Sequence, residues 1–541
     1  MAPFLGTVAS TRYEANQAGM QILAKGGNAV DAAVAMSFVL AVVEPYMTGP
    51  GAVGELLYLT PGGSCQVVDC AARAPRQAFP RMYRIVGAAT GMYGWPEVEK
   101  QANTYGALSV VAPRLVSGLF LAHQKFGRLA WPDILQPAID LAEDGFDVDY
   151  FFSAVLTHEM PYLSRDPVAG PLFYPGGTPL TPPVEDPPIS FRNEDLFSTL
   201  KLIASLGDEA LKSGPLADAI LQLSHQSGGI LDDEDLKGSD GFLIQDTTPL
   251  VHFRGWSVYA SPLPSGGVTV AEILGLLDQF EKAGEDPRDA QRYERTAMAC
   301  CYAFKDRLAR LSGSDSPDNT LALLAEDHLR VGADFVESGY CGAGPSAAGP
   351  HPATATTHLS VVDAEGGCVS LTQTLLSLFG SHLGVPGCGF ILNNGMMWFD
   401  PSPGSPNSIA SGARALAAVS PIILVSPDQT RRIALGGLGG RRIMTAAAQI
   451  VENIVDYGLG LDAAVNLPRI HADTIETFVD QRLPEQVFNR LRSRGLTPRV
   501  GIYGPTTLAF TRANAVSMDL ATGATDRGID LRSAATWNFG A

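Results

Sequence analysis

Residues 354–374, which read TATTHLSVVDAEGGCVSLTQT, carry the pattern that decides the fold. Residues 357–363 and 367–374 are rich in β-branched side chains, and a short turn with two glycines separates them. Such a pattern predicts two antiparallel strands joined as a β-hairpin. A three-residue loop with Gly366 in the left-handed conformation fits this spacing.

The same loop predicts which residues of the two strands face each other. If Asp363 and Gly367 close it, Thr356 lies opposite Thr374 at the open end of the hairpin. A slip of one residue would put Leu375 there instead, on the other face of the strand. Facing threonines are common because threonine is a good strand former. On this pattern alone, a purely structural role is the simpler interpretation.

Outward from the hairpin, the sequence predicts further strand pairs, helices and loops. The predicted strand pairs are 54–59 with 65–70, 421–426 with 431–435, and 506–512 with 515–519. Helices are predicted at 14–25, 29–43, 113–126, 131–143, 269–282 and 290–311, the second of them capped by Asn28. Residues 157–192 and 312–352 are rich in Pro and Gly and are predicted to be loops. Hairpins between helices indicate layered packing rather than a parallel doubly wound sheet.

The composition excludes two classes of protein. The chain has 38 basic and 56 acidic residues and a formal net charge of −18, so it would repel phosphates and we expect no nucleic-acid partner. No apolar stretch is long enough to span a bilayer and no secretory signal opens this sequence, so we expect no membrane partner and a cytoplasmic location. The seven cysteines include no CxxC pattern and predict buried thiols in a reducing compartment.

Several common chemistries have no support in the sequence. HExxH, clustered Cys and His ligands, GxxxxGK[ST] and GxSxG are all absent. We therefore expect no metal, no cofactor and no standard serine-hydrolase elbow. The glycine run at 436–440 leads from a predicted strand into a helix. Alone it predicts a tight connection, although N–H groups at such a helix start can hold an oxyanion.

Several motifs together resemble one family. Thr356-Thr357-His358, followed by Ser-Val-Val-Asp at 360–363, is similar to the start of the small subunit of γ-glutamyltransferases, also called glutathione hydrolases. Further motifs fall in the order typical of that family, at 25–33 (KGGNAVDAA), 73–75 (RAP), 143–145 (EDG), 263–267 (LPSGG), 393–394 (NN) and 468–471 (PRIH). The resemblance extends from Gly6 to near Leu531. Each motif is weak alone, but their order and spacing are highly specific.

The resemblance implies an α+β fold of the N-terminal-nucleophile class. In this αββα sandwich, two stacked antiparallel sheets lie between layers of helices. It also implies a zymogen that cleaves itself before its nucleophilic threonine, here between Ala355 and Thr356. Residues 1–355 would then be the large-subunit segment, and residues 356–541 the small-subunit segment, of one intertwined domain. The two fragments would stay together as a heterodimer.

The resemblance further implies the catalytic residues. Thr356 is the expected nucleophile, and its own α-amino group, once free, is the expected general base. Thr374 is expected to orient Thr356 Oγ, and Gly439 and Gly440 to donate N–H groups to the tetrahedral oxyanion. The substrate would be a small-molecule amide whose acyl group forms an ester with Thr356 before water or an amine releases it.

The substrate-binding positions depart in part from the family. Arg73 matches the arginine that binds the glutamyl α-carboxylate, and Asn394 belongs to the double-Asn motif. Trp398 stands where the family has the aspartate for the α-amino group, and Ala417 and Ala418 replace a pair of serines. These changes remove hydrogen bonds worth roughly 1–3 kcal/mol each where buried. We expect a pocket that is more apolar and more open, and that still meets a carboxylate through Arg73.

The altered pocket, which also has Leu376 in place of a family asparagine, leaves several functions open. The leading hypothesis is a self-processing threonine amidohydrolase or acyltransferase that cleaves the amide of a carboxylate-bearing acyl group. The subgroup resembles cephalosporin (glutaryl) acylases and oxamate amidohydrolases. The alternatives are a true γ-glutamyl hydrolase or transpeptidase acting on glutathione-like substrates, hydrolytic C–C bond cleavage in a biosynthetic pathway, and a catalytically inactive scaffold.

Overall fold

The structure, a computed structural model, describes residues 5–89, 95–183, 185, 187–313, 317–341 and 354–536. The helices are α1 Tyr13–Ala24, α2 Ala29–Val43, α3 Leu115–Phe126, α4 Trp131–Asp144, α5 Tyr150–Leu163, α6 Ala169–Phe173, α7 Glu194–Leu206, α8 Gly214–Gln226, α9 Asp233–Lys237, α10 Gly266–Leu277, α11 Ala290–Arg310, α12 Pro317–Leu323, α13 Glu326–Ser338, α14 Arg442–Val455, α15 Leu461–Asn466 and α16 Glu485–Ser493. The strands are β1 Gly6–Ser10, β2 Val53–Leu59, β3 Cys65–Cys70, β4 Ile85–Ala89, β5 Pro96–Val98, β6 Phe146–Asp147, β7 Ser190–Phe191, β8 Phe242–Thr247, β9 Val251–Phe253, β10 Trp256–Tyr259, β11 Thr354–Asp363, β12 Cys368–Ser377, β13 Ile422–Val425, β14 Arg431–Leu438, β15 Ile470–His471, β16 Glu476–Asp480, β17 Thr497–Gly501, β18 Arg512–Asp519 and β19 Thr525–Ile529.

Two six-stranded sheets form the centre of the fold. The first has the order β1-β11-β12-β2-β3-β8, with antiparallel neighbours throughout. The second has the order β19-β18-β14-β13-β10-β9 and is also antiparallel throughout. Contacts of β11 with β14 and β18 stack the first sheet on the second. Each sheet therefore contains strands from both sides of residue 356.

Apolar side chains fill three layers, as the alternation along β2 illustrates. Leu57 and Leu59 face the second sheet, whereas Leu56 and Tyr58 face a cluster formed with α1 to α4. On the far side of the second sheet, α10, α11 and α14 form the third apolar layer. The order of layers is thus helix, sheet, sheet, helix, which is the αββα sandwich implied by the resemblance.

The second helix begins and ends as predicted. The Asn28 side chain accepts N–H bonds from Val30 and Asp31, each 3.0 Å long, and the Asp31 carboxylate accepts the N–H of Asn28 at 3.0 Å. This reciprocal capping box satisfies the free donors of the first turn. Helices at the other predicted positions and the hairpins at 54–70 and 421–435 are also present, with ends that differ by a few residues.

The prediction that residues 157–192 form a loop is wrong, because α5 continues to Leu163 and α6 follows it. Pro161 lies inside α5, and an internal proline destabilises a helix by about 3 kcal/mol. Burial of a large apolar side chain stabilises by roughly 1.5–3 kcal/mol, and Phe151, Phe152 and Leu156 are all buried. Tertiary packing thus outweighs the local signal of the proline.

Two further sequence predictions are wrong. Residues 312–352 contain α12 and α13, while the glycine- and proline-rich segment at 342–350 lies outside the described residues. Residues 506–512 do not form a strand. Instead β18 begins at Arg512, and its partners are β14 and β19.

No helix in the described parts of the chain is both long and apolar enough to cross a membrane. The seven cysteines are free thiols. Five of them are buried as predicted, whereas Cys301 and Cys341 are partly exposed.

His358 fills the space between the two sheets beside Gly436. Its ring nitrogens contact the hydroxyls of Thr372 at 2.9 Å and Ser360 at 3.1 Å. Complete burial lowers the pKa of His358 to about 3, so the ring is neutral. A methyl group on Gly436 would overlap this ring. Glycine at this position therefore allows β14 to approach β11 closely.

We expect Gly436→Ala to destabilise the protein by about 1–3 kcal/mol, because the His358 ring would have to move within a packed interior. Differential scanning fluorimetry would show this as a lower Tm. Gly49→Ala is the matched control, since a Cβ there meets no atom within 4 Å, and its Tm should match that of the wild type. Equal Tm values for the two variants would contradict the close packing of His358 on Gly436.

Candidate functional site

The hairpin β11–β12 has the predicted register over most of its length. Thr357 faces Gln373, and the residue pairs from there to the loop keep the same register. Gly366 in the loop has φ +85°, the left-handed conformation that the loop requires. The glycine at this position therefore sets the pairing of the two strands.

A β-bulge lies at the open end of the hairpin. Ala355 faces Leu376, one residue out of step with the pairs nearer the loop, and Thr356 has no partner in the ladder. Thr356 Oγ nevertheless lies 3.2 Å from Thr374 Oγ. The two hydroxyls meet, through a bulge rather than through a regular strand pair.

Both hydroxyls also hydrogen-bond to the carbonyl oxygen of Ala355. The N–H of Leu376 donates to Thr374 Oγ at 2.8 Å, so the Thr374 hydroxyl can give its own proton to that carbonyl. The N–H of Thr356 contacts Met47 Sδ at 3.4 Å. The peptide bond between Ala355 and Thr356 is thus polarised at its oxygen and lies beside a hydroxyl group.

Leu376 adopts a strained backbone conformation at this point. Its φ is +85°, in the left-handed region, which costs a branched or bulky residue about 1–2 kcal/mol. Asparagine, the residue that the family resemblance puts here, adopts this conformation more readily. Such strain persists only where the surroundings hold it, and Leu376 is buried in the apolar cluster formed with α10.

Gly439 and Gly440 lie in the turn between β14 and α14. Their φ values are +132° and +62°, which strongly favour glycine. Neither N–H donates to another described group. Leu438, the preceding residue, lines a small cavity together with Met47, whose Sδ contacts the N–H of Thr356. Two free N–H groups therefore lie at a helix start close to the hairpin end, as an oxyanion site requires.

Arg73 follows β3 and lines a cavity of about 460 Å³. Its backbone forms a bridge with that of Arg414. The Arg73 side chain is partly exposed and forms no hydrogen bond or ion pair with the described residues. A guanidinium of this kind is available to bind a carboxylate with two parallel hydrogen bonds.

Arg114, which the sequence analysis did not single out, lines the same cavity. It is buried, and its guanidinium donates to the carbonyl oxygens of Gly238, at 3.2 Å, and Asp240. Its Nε has no partner within the described parts of the chain. Burial lowers the pKa of Arg114, and the positive charge of Arg73 lowers it further. No motif marks Arg114, because its approach to Arg73 arises only in the folded chain.

The positions expected to form the acyl pocket are apolar, as predicted, but not open. Trp398, Ala417 and Ala418 are 4%, 0% and 3% exposed. They share an apolar cluster with the chain neighbours of Arg73. Arg307 holds this segment by donating to the carbonyl oxygen of Ala417 at 2.7 Å. The expectation of a more open pocket is therefore wrong for these side chains, because the surrounding loop packs into the core.

Asn394 is largely engaged by the protein itself. Its amide group donates to the carbonyl of Thr104 at 2.9 Å and to the hydroxyl of Ser377 at 2.6 Å. Its Oδ1 accepts the N–H of Ser377 at 3.2 Å. Both amide hydrogens are used, so only a lone pair on Oδ1 remains for a substrate. The residue holds the end of β12 in position.

A buried ion pair stands next to the cavity. Arg414 donates to both carboxylate oxygens of Asp69, at 2.9 and 3.0 Å, and its Nη2 lies 3.4 Å from Glu55. Burial would raise the pKa of Asp69, but Arg414 lowers it below its ordinary value. Burial raises the pKa of Glu55 to about 8, despite Arg414. At neutral pH this group of three side chains is therefore neutral overall.

Glu272, Asp306 and His328 have ligand atoms close enough together to hold a metal ion. His328 Nε2 lies 2.7 Å from Asp306 and 3.3 Å from Glu272. Arg310 contacts both Asp306, at 3.1 Å, and His328, at 3.3 Å. This guanidinium already supplies the positive charge that a cation would bring. We interpret the group as an ion-paired link between α10, α11 and α13.

The αββα sandwich, with a threonine near the start of a central strand and a second hydroxyl beside it, defines an amidohydrolase of the N-terminal-nucleophile class. Comparison with known sequences supports this assignment. The family model described as Gamma-glutamyltranspeptidase matches residues 15–534. The chain belongs to the γ-glutamyltranspeptidase family.

Individual relatives agree with the family assignment. The chain is 34% identical over 505 residues to "Acylase ACY 1 proenzyme" of Pseudomonas sp. (strain V22), covering 91% of this chain and 86% of that one. It is 31% identical over 484 residues to "Glutathione hydrolase proenzyme" of Escherichia coli (strain K12), covering 86% and 80%. The crystal structure of cephalosporin acylase from Bacillus halodurans matches with a TM-score of 0.84 and 25% identity, over 98% of this chain and 94% of that one. The predicted family, fold and enzyme class are confirmed.

We expect Glu55→Gln to change the pH dependence of stability. The pKa of Glu55 is raised from 4.5 to about 8 in the folded protein, so the unfolded chain loses this proton first as the pH rises. The stability that Glu55 contributes is therefore complete below its unfolded pKa and is lost as the pH rises to about 8. Between about pH 5 and pH 8, the Tm of the wild type should fall relative to that of the variant.

Glu285→Gln is the control for this experiment, because the Glu285 side chain is 88% exposed. Its Tm difference from the wild type should stay constant with pH. A constant difference for Glu55→Gln as well would show that the carboxyl of Glu55 is not protonated in the folded protein.

Proposed function

We propose that the protein is a self-processing threonine amidohydrolase that uses Thr356 as its nucleophile. Its substrate is the amide of a small acyl group that bears a carboxylate and no α-amine. The observation that carries the proposal is the Ala355 carbonyl oxygen, which accepts hydrogen bonds from the hydroxyls of both Thr356 and Thr374. The word "proenzyme" in the names of two relatives supports processing.

The first reaction is cleavage of the chain itself. Thr356 Oγ attacks the carbonyl carbon of Ala355, and the hydroxyl proton passes to the nitrogen of Thr356 as the C–N bond breaks. Donation from Thr374 to the carbonyl oxygen stabilises the negative charge that develops there. Water then hydrolyses the resulting ester. The products are residues 1–355, with a new carboxylate, and residues 356–541, with a free α-amino group.

The second reaction is turnover of the substrate. The new α-amino group has an ordinary pKa of about 7.7–8.0, so it can accept the proton of Thr356 Oγ near neutral pH. Oγ attacks the substrate carbonyl, and the N–H groups of Gly439 and Gly440 donate to the oxyanion. The amine leaves with a proton, and water or another amine then attacks the ester. No metal or cofactor is required for these steps.

The acyl group is proposed from the residues around the cavity. Arg73 offers a carboxylate a guanidinium that forms no hydrogen bond or ion pair within the described parts of the chain. Trp398 cannot neutralise an ammonium, and the aspartate expected there in a γ-glutamyl enzyme is missing. A glutaryl-like group, with a carboxylate and no amine, fits both features. A γ-glutamyl group is the second candidate, because one relative is named a glutathione hydrolase.

We expect Thr356→Ala to abolish self-cleavage, because it removes the attacking oxygen. On a denaturing gel, the wild type should give two bands, and N-terminal sequencing of the smaller fragment should begin at Thr356. The variant should remain a single band. Thr357→Ala is the matched control, since Thr357 is also buried in β11 but its hydroxyl faces Thr11; this variant should still cleave.

Two results would count against this part of the proposal. An uncut wild type, identical to Thr356→Ala, would favour a scaffold over an enzyme. Cleavage of Thr356→Ala at the same bond would assign the nucleophile to another residue.

We expect Arg73→Ala to lower kcat/KM for glutaryl-p-nitroanilide by at least about tenfold, because a charge-assisted hydrogen bond contributes on the order of 1.5–3 kcal/mol. Release of p-nitroaniline from butyryl-p-nitroanilide, which has no carboxylate, is the control and should change little. An equal loss with both substrates would mean that Arg73 supports the fold rather than the substrate. Fast wild-type release from γ-glutamyl-p-nitroanilide alone would instead favour the second candidate.

A further inference from the structure

A second guanidinium, that of Arg114, lines the cavity beside Arg73. Arg73 has no ion-pair partner among the described residues, and buried Arg114 makes hydrogen bonds only to backbone carbonyl groups. The chain has a net charge of −18, yet neither of these two guanidinium groups forms an ion pair with a described residue; Asp69 and Asp240 attract Arg114 only over a longer distance. Their mutual repulsion favours binding of an anion between them.

The acidic groups around the cavity are already engaged. Asp69 is bound to Arg414 through both oxygens, and Glu234, which lines the cavity, lies 3.3 Å from Arg76. Asp235 accepts the backbone N–H of Arg76 at 2.8 Å. None of these carboxylates forms an ion pair with Arg114. Asp235 lines the cavity without an ion-pair partner among the described residues, but both of its oxygens already accept backbone N–H groups, so an ammonium group would have to compete with these donors.

Strand pairing connects Arg73 to the proposed nucleophile. Thr374 faces Val53 on β2, and Gly54, the next residue, faces Cys70 at the end of β3. Arg73 follows Cys70 by three residues. Neighbouring strands lie about 4.8 Å apart, and β12 and β2 stand between β11 and β3. At this end of the strands, β11 and β3 are therefore separated by on the order of 14 Å. An arginine side chain and a short acyl chain, placed end to end, are together long enough to cover this distance.

The backbone of Arg114 also lies at this end of the strands. Its N–H donates to the carbonyl of Ala52 at 3.1 Å, and Ala52 directly precedes Val53, the strand partner of Thr374. Arg114 is thus attached to β2, which lies between the strand of the proposed nucleophile and the strand that precedes Arg73. Its guanidinium extends to the carbonyl groups of Gly238 and Asp240, just before β8, and lines the cavity beside Arg73. An anion bound in this cavity would therefore meet both arginines.

We propose that Arg114 is a specificity-determining residue, which with Arg73 selects acyl groups that end in a carboxylate and rejects those that also carry an α-ammonium. This inference rests on the proposed function. Arg114 adds attraction for the carboxylate, and it adds repulsion for the ammonium of a γ-glutamyl group. Specificity often combines an attractive and a repulsive element in this way.

The test is the ratio of kcat/KM for glutaryl-p-nitroanilide to that for γ-glutamyl-p-nitroanilide, measured on fully self-cleaved protein. For Arg114→Gln we expect the ratio to fall at least about tenfold, through a lower glutaryl value and an unchanged or higher γ-glutamyl value. Lys237→Gln is the matched control, because Lys237 lines the same cavity but its side chain is 54% exposed and pairs with Asp233, which does not line the cavity. Its ratio should stay within about twofold of the wild type.

Arg114→Lys provides the decisive variant if Arg114→Gln does not fold. The lysine keeps the charge, so we expect it to retain most of the ratio. A ratio that stays at the wild-type value in Arg114→Gln, or that collapses in a folded Arg114→Lys, would overturn the role of charge at this position. In either case, self-cleavage and glutaryl release by the wild type would leave the proposed function intact. A wild type that releases no glutaryl group would instead overturn the proposed function itself.

Discussion

The central constraint is the hydrogen bonding at the Ala355 carbonyl, where two threonine hydroxyls converge on one backbone oxygen. β11 lies between β1 and β12, but β1 pairs only with residues 359–363, so at Ala355 it is the pairing with β12 that holds the backbone. The hydrogen bonding at Ala355 also depends on the bulge. In a regular ladder Thr356 would pair with a residue of β12, whereas in the bulge it has no ladder partner. The sandwich holds the bulge in place, since β11 packs on β14 through His358 and Gly436. Most of the fold therefore serves to fix one short segment of backbone.

The sequence predicted what local signals determine. The turn glycine set the hairpin register, and the capping residues around Asn28 set the start of α2. It failed where tertiary packing overrides a local signal, as in α5, which continues past Pro161 because its phenylalanines are buried. The bulge could not be predicted either. It depends on the left-handed backbone of Leu376, which only the surrounding core explains.

Only part of the candidate site could be predicted from the sequence. Thr356, Thr374 and the glycine pair belong to motifs, so the resemblance identified them and the fold brings the two threonines into contact. Arg114 belongs to no motif, and only the pairing of β2 with β3 brings it near Arg73. The openness of the acyl pocket was misjudged because losing polar residues need not leave empty space. Trp398 and the two alanines pack into the core instead.

Each sheet contains strands from both sides of the Ala355–Thr356 bond. This arrangement bears on when the chain can be cleaved and on how the cleaved protein unfolds. The proposed self-cleavage would need the folded strands that bring the two threonine hydroxyls to the Ala355 carbonyl, so folding would precede cleavage. Once cut, the chain no longer carries the connection that brought β11 to its neighbours. Unfolding would then separate two polypeptides that had folded as one. The persistence of the mature protein would be set by the rate of that separation rather than by a folding equilibrium, which is kinetic stability.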